Sequence, residues 1–247
     1  MRKIIKSILA VSLFIIILNS CNSNDYTNEK GADDKVDKNL MSNEINDDFI
    51  KAEMYGIYHN ELLKVHINLH NKVKKLNFIS IYDNLRTEFD KLHTNSLTNE
   101  EYNFYKKRLI SVIGENGELI TENYKKITTK GIKKFYSTNI QLILLDLLEE
   151  PKSPDEVNVI FEKLISDKEV VASEKNELKK MLNVYNASVI FWGTNDTKVA
   201  IESKVACNPA YQVFFADAVG CMFGGLGSVA YSAFVYSAQQ QNGGGCI

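Results

Sequence analysis

The chain has 247 residues, 45% hydrophobic and 24% charged, with a formal net charge of -2. This composition excludes a wholly disordered chain and a bundle of membrane spans, and it allows one sizeable core plus appendages. No long Arg/Lys block appears, so nucleic acid is not an expected partner.

The first element is an address. "MRKIIKSILAVSLFIIILNSC" starts basic at Arg2, Lys3 and Lys6, then runs apolar from Ile8 to Leu18. That run is short for a spanning helix, which needs about 20 residues, and it fits a signal-peptide core. It ends in Leu18-Asn19-Ser20-Cys21. The ending resembles the lipobox of bacterial lipoproteins, which implies cleavage before Cys21 and a covalent lipid on its thiol. Asn19 departs from the usual residue at its place. Asn22, where aspartate would favour inner-membrane retention, implies the outer membrane. Loss of residues 1–20 removes three of the 29 basic residues and none of the 31 acidic ones, moving the net charge to -5.

Residues 21–46 are polar and charged with little to bury, and they predict a lipidated flexible tether. The body, 47–207, opens with helical spacing: Phe49, Tyr55, Leu62, Leu63, Leu69 and Val73 share one side. "FISIYDNLRTEFDKLH" continues the pattern. Thr98 with Glu101 predicts a capping box ahead of "NEEYNFYKKRLISVI". Asn116-Gly117 suits a hairpin or a break between helices, and the break is preferred. "KKFYSTNIQLILLDLLEE" stops at Pro151, and Ser153-Pro154-Asp155-Glu156 predicts a fresh helix start. Ser173 opens another, and Asn208-Pro209 repeats the cap-plus-proline signal. With three prolines and no repeat period, the expectation is all-α, a helical bundle of about six to eight helices.

Three of the four histidines lie on the first body helix: His59, His66 and His70. At about 100° per residue they form one stripe along the apolar side. The His66/His70 spacing suits two imidazoles on one metal, while hydrogen-bonded histidines at the core edge are the plainer expectation. "GIYHNELL", Gly56 to Leu63, resembles helical lipoproteins of bacteria, a likeness that implies no activity. No G-x-S-x-G elbow or phosphate loop is present, and no catalytic residue or cofactor beyond the lipid is expected. With Cys21 lipidated, Cys207, Cys221 and Cys246 leave room for one disulfide and one odd thiol.

The C-terminal element, 208–247, carries a long uncharged run after Asp217. Small residues recur every four positions, at Ala216, Gly220, Gly224, Ser228 and Ser232, which predicts one helix packed closely on a neighbour. That helix suits the centre of the body, a bilayer insertion from Ala218 to Ala238, or self-association. The stripe followed by "QQQNGGGCI" resembles glycine-zipper and bacteriocin-like tails. The sequence thus points to a lipid-anchored envelope protein that binds or assembles, with membrane lipid through Cys21 and a possible protein partner at the tail. The alternatives are a membrane-active toxin-like lipoprotein and a metal-dependent enzyme using the histidine stripe.

Overall fold

A computed structural model describes residues 49–70, 77–94, 96–114, 117, 124–194 and 209–241, without the side chains of 67–70, 194 and 241. All of these fall within one compact unit, Lys35–Ile247. The protein is all-α, with no strand among the described residues. Among the described residues, seven helices make the body: α1 Ala52–His70, α2 Phe78–Leu92, α3 Asn99–Ile113, α4 Tyr124–Phe135, α5 Thr138–Glu149, α6 Pro154–Ser166 and α7 Ala172–Thr194. Two more, α8 Pro209–Gly220 and α9 Gly224–Gln241, make the tail, joined by a 3-10 turn at Cys221–Phe223.

Local chemistry sets the helix starts. Ser153 and Glu156 form the full reciprocal capping box, with Pro154 as first residue of α6. At α3 only half of the expected box exists. Thr98 Oγ1 accepts from Glu101 N, but the Glu101 carboxylate turns away into the core. A start that local sequence does not show is that of α5, where Glu174 of α7 accepts from Ser137 N and Oγ. Helix α7 begins at Ala172, one residue before the expected start, and Gly117 sits in the break after α3 with a φ of 60°.

The tail is not the single striped helix expected from its spacing. Gly224 adopts a φ of 76°, the left-handed region that glycine occupies without a Cβ penalty, and the chain folds back there. A Cβ on Gly220 would meet Ser228 Cα at 2.7 Å and the Gly227 carbonyl oxygen at 2.9 Å, so α8 and α9 touch backbone to backbone. At the open end, Gln239 Nε2 donates to Pro209 O at 2.8 Å. The small residues therefore serve a helical hairpin: Gly220 faces Ser228, Gly224 makes the turn, and Ala216 and Ser232 are buried in the core.

This hairpin occupies the centre. Helix α8 packs on α7, α9 packs on α1, α2 and α3, and α1 and α7 pack on each other. Tyr82 OH and Tyr211 OH donate to carbonyls of Phe223 and Leu147, tying the hairpin to the body. Residues 209–240 are long and apolar enough to cross a membrane by composition, yet 94% of their apolar window is buried inside the protein. Among the readings of the tail, the central-core one matches this packing.

Candidate functional site

The core around the hairpin holds two polar clusters. The first joins α1, α7 and α8. Asp217, the last charged residue in the sequence, is fully buried, and its Oδ2 accepts from Ser188 Oγ and from Trp192 Nε1 at 3.3 Å. His59 Nε2 stands 3.4 Å from the same oxygen. The neighbouring bonds set the imidazole. Asn60 Nδ2 donates to Ala187 O, so Asn60 Oδ1 must accept, and His59 Nδ1, 3.0 Å away, carries the hydrogen. Nε2 then presents a lone pair to Asp217.

Burial lowers the His59 pKa from 6.5 to about 4 and raises the Asp217 carboxyl from 3.8 to about 7, although Ser188, Ser232 and Trp192 favour its charged form. The folded pair keeps one proton, on the Asp217 side, between about pH 4 and 7. The unfolded pair also holds one proton from about pH 4 to 6.5, on histidine. The two contributions oppose each other: the raised acid loses stability as pH rises, and the depressed base loses it as pH falls. Across that window they cancel. In Asp217→Asn the histidine term stands alone, so stability relative to the native protein is expected to fall by about 2 kcal/mol between pH 6.5 and 5. Urea unfolding of both proteins at those two pH values measures it; parallel pH profiles would disprove the shared proton.

The second cluster joins α3 and α7. Arg108 and Lys180, both buried, donate to opposite oxygens of Glu177, at 3.2 Å and 3.1 Å. Tyr105 OH donates to Glu177 at 2.7 Å and accepts from Lys180 at 2.7 Å. Burial opposes the Glu177 charge, but Lys180 and Arg108 outweigh it and hold the carboxyl below its usual range. The cations also sit over aromatic rings, Arg108 4.3 Å from Phe135 and Lys180 4.9 Å from Tyr55. Beside them Glu101 accepts from Tyr55 OH at 2.7 Å and Ile50 N at 3.0 Å, and burial raises its pKa. Phe49 closes this side, its ring 5.9 Å from Phe104.

What can these groups do? Each is enclosed by packed side chains and bonded within the chain, so their chemistry is to hold helices together. Cys221 carries a free thiol, but it is buried and its pKa is pushed up by burial, which keeps it protonated and unreactive. An apolar recess of about 260 Å³, open mouth included, lies between Ile50, Tyr58, Leu62, Phe89, Leu97 and Leu226. It presents no convergent polar groups.

The sequence-predicted residues fall as follows. His59 and His66 are buried on the apolar side of α1, but His59 is engaged by Asn60 and Asp217. Among the described residues, no three His, Cys, Asp or Glu side chains gather to hold a metal ion. The His70 side chain, Cys21, Cys207 and Cys246 lie outside the described residues, and with them the proposed disulfide pairings and the lipidation site. Spacing along the chain missed Asp217, Glu177, Arg108 and Lys180. The one available signal was an isolated charge inside an apolar stretch, such as Asp217.

No protein-family model, curated protein or solved structure matches this chain.

Proposed function

We propose that the chain is a lipid-anchored protein of the bacterial envelope, a binding or assembly module held at the outer membrane through a diacylglyceryl thioether on Cys21. The single observation that carries this reading is the basic, then apolar, leader ending in Leu18-Asn19-Ser20-Cys21. Two further features bear on where a partner would bind. The buried ionic clusters are sealed within the helices, and the tail's small residues are engaged within the chain. A protein partner would then meet the outer helix faces, not the tail.

Intact mass of the membrane-extracted protein tests the anchor. The expected result is loss of residues 1–20 with lipid mass on Cys21. An intact Met1, or an unmodified Cys21 thiol on a mature chain, would overturn it.

A membrane-active tail is the second reading, favoured by the length and apolar composition of 209–240. Inserting that hairpin would strip the body of its centre. Dye-loaded liposomes are therefore expected to stay tight at micromolar protein, and leakage abolished by deleting 209–247 would favour the toxin-like alternative.

A further inference from the structure

Helix α4 reads "YKKITTKGIKKF", with five lysines and no carboxylate. Its buried residues, Tyr124, Ile127, Thr128, Gly131, Ile132 and Phe135, fix one face in the core. At about 100° per residue, Lys126, Lys130, Lys133 and Lys134 fall within about 100° of arc on the opposite side. Lys125 lies off this stripe and is paired with Glu149 at 3.1 Å. Lys130 donates to Val112 O at 3.0 Å, while Lys126, Lys133 and Lys134 make no ion pair among the described residues. The lysines are interleaved with apolar residues, so the sequence shows no basic block; only the helix gathers them. They stand out on a chain that is acidic once residues 1–20 are gone.

We propose that the lysine face of α4 docks the body on an anionic phospholipid surface. The chemistry favours a diffuse anionic plane over a discrete ligand. The stripe holds lysines only, which act as hydrated point charges on long stems, whereas recognition of one phosphate or carboxylate favours the planar fork of arginine. The stripe runs about 12 Å, too short for the usual nucleic-acid footprint. This inference rests on the envelope reading, which places a bilayer within reach and raises the local concentration of headgroups. The diacylglyceryl anchor already holds the chain at the bilayer, and the basic face would set how the body lies against it.

The test uses the full chain carrying Cys21→Ser, which cannot be acylated, and vesicles of phosphatidylcholine with or without about 30% phosphatidylglycerol. Each lysine near an anionic surface raises affinity roughly fivefold. The phosphatidylglycerol-dependent part of the binding is expected to drop roughly a hundredfold in Lys126→Gln/Lys133→Gln/Lys134→Gln and to weaken steeply with salt. The matching triple Lys→Arg variant should bind like the parent, and thermal unfolding of both should be unchanged. The leader, itself basic at Arg2, Lys3 and Lys6, is common to every sample and cancels in the comparison of each variant with the parent on the same lipid. Binding that ignores phosphatidylglycerol, or survives the triple Gln change, overturns the proposal; so does lysine-dependent capture by heparin without capture by vesicles. Because no sample carries an acyl chain, failure here leaves the mass test of Cys21 untouched, and an unlipidated Cys21 leaves this result standing.

Discussion

Glu177→Gln is expected to cost about 3–5 kcal/mol of folding stability, the usual penalty for removing one partner of a buried ion pair. The side chain keeps its size, so no cavity forms. What is lost is the negative charge that Arg108 and Lys180 both touch inside the core. Two buried cations would then lose the carboxylate they share. The attraction is large because neither cation retains contact with water. If charge balance is the cause, Arg108→Met and Lys180→Met added to Glu177→Gln should restore most of the loss, since an apolar replacement of a buried ion cluster is often neutral. Denaturant midpoints of the single and triple variants measure both effects, and a single variant within about 1 kcal/mol of the parent would refute the account. The pH sign is fixed as well. A carboxyl whose folded pKa lies below its unfolded value contributes stability above the unfolded value of 4.5, and this is lost as pH falls through the folded one.

The second large effect concerns the hairpin. Gly220→Ala/Gly224→Ala is expected to cost about 3–5 kcal/mol in total. At Gly220 the added methyl meets the backbone of Ser228 and Gly227, which cannot rotate away as a side chain would. At Gly224 it carries the left-handed penalty and falls 2.7 Å from the Tyr105 ring. Helix propensity alone predicts the opposite sign at Gly220, because alanine is favoured over glycine by about 1 kcal/mol. Gly193 supplies the control, since a Cβ there meets nothing within 4 Å. Gly193→Ala should raise stability by about 0.5–1 kcal/mol. Equal and positive shifts for Gly193→Ala and Gly220→Ala would remove the close-packed hairpin.

Particular residues show which parts of this fold are legible in one dimension. Ser153, Pro154 and Glu156 announce the start of α6 because capping is a contact between residues three apart. Thr98 announces α3 for the same reason. Glu101 does not complete that cap, because Tyr55 and Ile50, about fifty positions earlier, offer its carboxylate a buried home. The histidine side of α1 was legible as apolar from its period. Its partner Asp217 was not, since 158 positions separate it from His59 and no periodic signal spans that gap. The tail shows a third case. Its spacing of small residues is correct for tight helix contact, but the same spacing serves a long helix against a neighbour or two short arms against each other. Only the conformation of Gly224 decides between them.

The segment at the middle of the core, 209–241, is also the last part of the described body to leave the ribosome. Helices α1, α2, α3 and α7 bury their inner faces against it, so an emerging chain holds them around an unfilled centre until these residues arrive. Domains close co-translationally only when their contacts have been synthesised, at about 5–20 residues per second. Completion of this body therefore waits on the last-made of its described segments, and until then the inner faces of α1, α2, α3 and α7 lack the surface they pack against.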